Sequence, residues 1–130
     1  MNEIIDYNQK YSLRTKKFAV SIIKFYANHC KKTEELRVIG KQFLRSGTSV
    51  AANFRAYARG RSVAERYSKM CIVVEEVDET LFWFELIEEA ELLDKTQFSS
   101  IMQESLELLK IFSVTKSKIK TQREFRRINY

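Results

Sequence analysis

Residues 33–65 read TEELRVIGKQFLRSGTSVAANFRAYARGRSVAE, and two boundary signals with one internal period decide the fold from this run. Thr33 stands ahead of Glu34 and Glu35, a hydroxyl placed to accept from the free amides of a helix start, with acids in the first turn where the helix dipole favours them. Leu36, Ile39, Phe43, Val50, Phe54 and Tyr57 then recur on a helical period, with Gly40 and Gly47 on the same side. Glycine inside a helix costs roughly 1 kcal/mol against alanine, so the pattern predicts that a neighbouring helix comes close at both positions. The helix runs to Arg59 and Gly60 punctuates it. Ser62-Val-Ala-Glu65 is a capping box, in which Ser62 takes the amide of Glu65 and Glu65 returns to the cap amide. So short a connection makes the two flanking helices antiparallel neighbours.

Working outward, residues 13–30 place Phe18, Ile22, Phe25, Tyr26 and His29 on one helical face, and Lys31-Lys32 follow as cations suited to a helix C-terminus. The third helix carries Tyr67, Cys71, Val74, Val77, Leu81, Phe84 and Ile87 to residue 93, about 48 Å at 1.5 Å per residue. Asp94-Lys-Thr-Gln97 signals the next start, and Phe98, Ile101, Ser105, Leu108, Phe112 and Ile119 carry the fourth helix to residue 122. The chain has 130 residues, 45% hydrophobic and 31% charged, with no proline and three glycines. Turn-rich β architectures need far more punctuation than that. The expectation is an all-α chain, an antiparallel up-down-up-down four-helix bundle at 13–122, with an N-terminal extension at 1–12 and a basic C-terminal tail at 123–130. Leu81, Phe82, Trp83, Phe84, Leu86 and Ile87 surround the third helix almost completely, which predicts a second buried face and a homo-oligomer.

Cys30 and Cys71 lie outside any C-x-x-C arrangement and read as small core residues of a reducing compartment. No cationic leader or long apolar run stands in the chain, so no membrane partner is expected and the location expected is cytoplasmic. The net charge of +6 is unevenly spread: residues 62–95 hold ten acidic and three basic side chains, and the segments on either side are basic. Catalysis is not expected. The one histidine, His29, reads as a satisfied buried imidazole. Glu75, Glu76, Asp78, Glu79, Glu85, Glu88, Glu89 and Glu91 lack the Glu-x-x-His pairing of di-metal bundles and read as a solvated or salt-bridged face, with no metal and no cofactor. No phosphate-loop, dinucleotide, nucleophile-elbow or zinc-protease motif occurs.

Projected at 100° per residue, Arg37, Lys41, Arg45, Arg55 and Arg59 gather on one strip of the second helix, with Thr48 and Ala52 in its middle. Guanidiniums around small residues suit a sugar-phosphate backbone, which they bind in a bidentate fashion with no need for base readout. With Arg61 just beyond, these six are the candidate contacts for RNA or DNA. The same strip could seat a helix of another subunit, its arginines pairing with the acidic third helix. Beside it, Gln42, Arg45, Ser49 and Asn53 share a polar face that reads as a structural hydrogen-bond network.

The run from Gly40 to Arg55, above all Arg-Ser-Gly-Thr-Ser-x-x-Ala-Asn at 45–53, together with 65–67, 72–87 and 90–93, resembles the bacterial four-helix-bundle family of 23S ribosomal RNA intervening-sequence proteins. That family is similar in fold to the accessory variability determinant of diversity-generating retroelements. The resemblance implies a ring-like homo-pentamer without enzymatic activity, a nucleic-acid-binding role, and Gln42, Arg45, Ser49, Asn53 and Arg55 as the matching motif positions. It also admits a scaffold or adaptor whose partner is a protein such as a reverse transcriptase-like enzyme. The chain departs from the pattern at Ala51 and Ala56, where many members carry proline and glutamate.

Overall fold

The computed structural model describes residues 2–129. Four helices, α1 (Asn2–His29), α2 (Glu34–Ala58), α3 (Val63–Glu89) and α4 (Ser99–Asn129), follow one another, with one 3₁₀ turn at Lys95–Gln97 before the last. No strand occurs among the described residues. Each helix packs on the next and α4 returns to α1, which closes an antiparallel four-helix bundle.

Both ends are more helical than the sequence suggests. The segment read as an N-terminal extension is the start of α1, and the tail read as separate continues α4 as far as Asn129, with Met1 and Tyr130 outside the described residues. Packing explains the N-terminal part: Tyr7 and Tyr11 lie against Phe54, at 6.2 and 6.4 Å between ring centroids, and Tyr11 meets Phe112 at 5.7 Å. Tyr7 Oη and Thr115 Oγ1 are hydrogen bonded at 2.5 Å, and burial pushes the Tyr7 hydroxyl up to about 12 although that bond pulls the other way. At the far end of α4 the Arg123 guanidinium lies 5.3 Å from the Tyr67 ring centroid. Polar residues dilute the apolar period in both segments, so a sequence pattern cannot see these contacts.

The core is layered. Phe25, Phe43, Phe84 and Phe98 make one aromatic layer, with Phe43 and Phe84 at 4.7 Å and Phe84 stacked on Phe98 at 5.8 Å. Tyr11, Phe54 and Phe112 make another. Between them Ile22, Val50, Val77 and Leu108 are fully buried. Burying rings of this size supplies much of the hydrophobic stabilisation, and their tilted and edge-on contacts add roughly 0.5–1.5 kcal/mol per pair. On α3 the buried residues are Val63, Met70, Val73, Val77, Thr80, Leu81, Phe84 and Ile87, so Val77, Leu81, Phe84 and Ile87 are inside as expected whereas Tyr67, Cys71 and Val74 are only half-buried. A helix apolar almost all round has no unique sequence period, and its neighbours choose the face. Cys30 is wholly buried and its thiol is pushed up to about 11 by that burial.

The glycines behave as the pattern requires. A Cβ on Gly40 would stand 2.6 Å from Cys30 Cβ, and one on Gly47 would stand 2.7 Å from Ile22 Cγ1. The helix starts also form, since Thr33 Oγ1 accepts from the Leu36 amide at 3.2 Å and Ser62 Oγ from the Glu65 amide at 3.1 Å. The return arm of the box differs: Glu65 Oε2 accepts from the amide of Arg61, one residue before the cap, at 2.6 Å. Helix α3 stops at Glu89, four residues earlier than the pattern suggests. Leu92 donates its amide to Ile87 O and Glu91 to Glu88 O, both at 3.1 Å, with Glu91 left-handed at φ 54°. This is the Schellman end that glycine ordinarily makes; with glutamate there, no punctuation shows in the sequence. Asp94 then accepts from the Thr96 amide at 2.9 Å and its hydroxyl at 2.6 Å, which holds its carboxyl below the usual range.

Two substitutions test these elements in urea denaturation followed by circular dichroism. Gly47→Ala gains helix propensity of about 1 kcal/mol yet should lower stability by a net ~1–2 kcal/mol, because the rigid, buried Ile22 must move; a gain would mean the helices are not in contact there. Glu91→Gly should raise stability by roughly 1 kcal/mol by relieving the left-handed backbone, and an unchanged midpoint would count against that geometry.

Candidate nucleic-acid interface

Helix α2 has three packed sides and one open one. Gly40 and Gly47 face α1, Phe43, Val50 and Phe54 fill the core, and Ser46 meets α3, where its hydroxyl and that of Thr80 are hydrogen bonded at 2.7 Å inside the protein. What remains is the outer strip, and Arg37, Lys41, Arg45, Arg55 and Arg59 on it, with Arg61 in the connection to α3, are all exposed. The residues are together on one face, but their charges are not in one state.

Two of the six are engaged within the chain. Arg37 Nε donates to Lys31 O at 3.2 Å and Nη1 lies 3.3 Å from Glu34 Oε2, which ties it to the α1–α2 turn. Arg45 reaches across to α3, its Nη1 3.3 Å from Glu76 Oε2 and its Nη2 in close contact with Glu79. Glu79 also accepts from Trp83 Nε1 at 3.3 Å. Glu76 is only 16% exposed, and desolvation, together with the neighbouring Glu79 and Glu75 charges, raises its carboxyl pKa although Arg45 pulls it down. The folded chain therefore holds that proton more tightly than the unfolded chain does. Glu76 favours folding at low pH and opposes it as pH rises through its folded pKa, and Arg45 offsets part of the cost.

The other four are free of such partners: among the described residues no carboxylate lies within ion-pairing distance of Lys41, Arg55, Arg59 or Arg61. Arg55 and Arg59 border a groove of about 430 Å³ between α1 and α2, floored by Ala51, Ala52 and Ala58 and walled on α1 by Leu13 and Lys16. Small side chains on the floor and long cations on the rim let an extended anion come close to the backbone.

The polar face read as one network is two separate features. Asn53 Nδ2 donates to Ser49 O at 3.0 Å and Ser49 Oγ at 2.9 Å, a local pair one turn apart. Arg45 turns to α3, and Gln42 is exposed with no hydrogen bond among the described residues. The interhelical polar contact that sequence reasoning missed is Ser46 with Thr80, whose hydroxyl also donates to Glu76 O at 2.8 Å. Its signal was present: Thr80 stands in the spacing Val73, Val77, Thr80, Phe84, Ile87, a single hydroxyl at a core position.

His29 is half-buried, its ring 5.2 Å from that of Phe25, and its Nδ1 is buried without a hydrogen-bond partner, so it is not the satisfied imidazole expected. No three histidine, cysteine, aspartate or glutamate side chains among the described residues are placed to hold a metal ion. No described helix is long and apolar enough to cross a membrane.

A family model described as 23S rRNA-intervening sequence protein matches residues 8–114. A crystal structure of a protein with unknown function from the S23 ribosomal protein family of Bacteroides thetaiotaomicron VPI-5482 is similar at 33% identity and a TM-score of 0.73, with 85% of this chain and 97% of that one covered. No curated protein matches the chain.

The Arg45 bridge is open to a direct check. Arg45→Gln should cost about 1 kcal/mol near pH 7, the range of a partly exposed pair that shields a nearly buried carboxylate. The cost should shrink as pH is lowered toward 4, because the Glu76 carboxyl, whose affinity for its proton burial raises, becomes neutral in both proteins. A cost independent of pH would assign the effect to packing instead.

Proposed function

The chain belongs to the 23S rRNA-intervening sequence protein family, and on that footing we propose that it is a non-catalytic, cytoplasmic homo-oligomer, a ring-like pentamer, that holds RNA or DNA by its phosphate backbone. One observation carries the reading: the outer strip of α2 offers Lys41, Arg55, Arg59 and the neighbouring Arg61 to water, with no carboxylate among the described residues placed to neutralise them. Arg37 and Arg45 shape the strip rather than contact the ligand, being committed to the turn and to α3. Apolar side chains open to water, Val114 at 55% and Phe82 at 47%, support association of copies.

Backbone contacts of this kind are sequence-tolerant and salt-sensitive, since each phosphate neutralised releases condensed counterions. Four such contacts predict that affinity for duplex falls by about 10²-fold between 50 and 200 mM salt, and filter binding on mixed-sequence RNA and DNA measures it. The double variant Arg55→Glu, Arg59→Glu should abolish binding while light scattering shows the assembly mass unchanged. A flat salt response would remove the electrostatic mechanism.

A second reading is a scaffold or adaptor for a protein partner such as a reverse transcriptase-like enzyme. The exposed Phe82 on the acidic helix α3 favours it, as does the way Arg45 already pairs with Glu76 and Glu79. In that case wild-type protein binds neither nucleic acid at low salt, and the double variant loses oligomer mass instead.

A further inference from the structure

We infer that the polyanion crosses the foot of the bundle, over the α2–α3 connection, instead of running along α2, and that Lys16 of α1 and Lys69 of α3 are phosphate contacts. This rests on the nucleic-acid reading above and specifies where that ligand lies.

Arg37 and Arg59 are separated by 22 residues, about 33 Å of helix. A phosphate chain laid along that length would meet one cation unpaired among the described residues, Lys41, between Arg37 and Arg45, which already face carboxylates; on the crossing path Lys41 is therefore not a contact, and Lys16 and Lys69 take its place. It would also head toward the end of the molecule where Glu88, Glu89, Glu91 and Asp94 close α3 and the turn after it. Coulomb repulsion between unit charges near a protein surface is substantial within a Debye length, so that route grows less favourable with each turn.

At the other end the geometry reverses. Arg59 borders two grooves, each of about 430 Å³. The first, against α1, places Lys16 beside Arg55 and Arg59. The second, against α3, places Lys69 beside Arg59 and Arg61 over a floor of Ala56, Gly60 and Ala64. Three successive helices and one connection thus supply Lys16, Arg55, Arg59, Arg61 and Lys69, and among the described residues none of the five has an ion-pair partner. The one carboxylate in the second groove, Glu65, is held by the Arg61 amide at 2.6 Å and sits at the positive end of the 27-residue α3. Small residues under both grooves leave the backbone open to an approaching phosphodiester.

The test is fluorescence anisotropy on a labelled single-stranded RNA of mixed sequence and its DNA counterpart, using full-length protein. Lys16→Gln and Lys69→Gln should each weaken binding about five- to tenfold at 100 mM salt and flatten the slope of log K against log salt by about 0.7, the value of one phosphate on a single strand. Lys24→Gln, an exposed cation higher on α1, should stay within twofold of wild type and controls for net charge. Melting temperatures should be unchanged in all three, because among the described residues none of these three side chains makes a hydrogen bond or ion pair. If Lys16→Gln and Lys69→Gln match Lys24→Gln while Arg55→Glu with Arg59→Glu still abolishes binding, the crossing path is wrong and the parent reading stands. If wild-type protein binds neither probe at low salt, both fall together.

Discussion

The close contact between α1 and α2 at Gly40 and Gly47 sets the rest of the molecule. With Cys30 and Tyr26 against one glycine and Ile22 against the other, a β-carbon at either position would force those side chains to move, so this contact sets the rotation of α2 about its own axis. Once that rotation is fixed, Phe43, Val50 and Phe54 must enter the core, Ser46 must meet Thr80 on α3, and the cationic strip must face water. The orientation of the charged face is a consequence of helix packing. It needs no force of its own.

Charge is then sorted by reach. Arg45 is close enough to α3 to meet Glu76 and Glu79, and Arg37 is close enough to the first turn to meet Glu34 and the carbonyl of Lys31. Arg55, Arg59 and Arg61 lie where the neighbouring stretch of α3 carries Arg66 and Lys69 in place of an acidic run. Segregation of charge along α3, acidic from Glu75 onward and basic before it, therefore divides one continuous arginine row into a structural half and an available half. A surface cation without a partner contributes little to stability, which frees it for a ligand.

The sequence was a good guide where a single residue makes the local structure. Thr33 and Ser62 cap as their positions suggest, and the two glycines mark the close approach. It was a poor guide where the signal is shared or missing. Glu91 ends α3 in the backbone state that glycine would announce, and Glu65 reaches the Arg61 amide instead of the cap's own. The apolar girth of α3 left its inner face undecided until Thr80 and its partner on α2 were in view. Tyr7, Tyr11 and Arg123, spaced among polar residues, extend α1 and α4 by contacts that no period reveals.

By itself the chain of residues determined the helices, their order, their antiparallel connections and the existence of a cationic row, because capping, periodicity and short turns are properties of neighbours in sequence. Only the tertiary structure decided which of those cations are already neutralised, which face of α3 is inside, and that Lys16 and Lys69 stand beside the arginines of α2. Those facts depend on distances between helices, and electrostatic pairing falls off over a few ångströms that the linear order of residues does not encode.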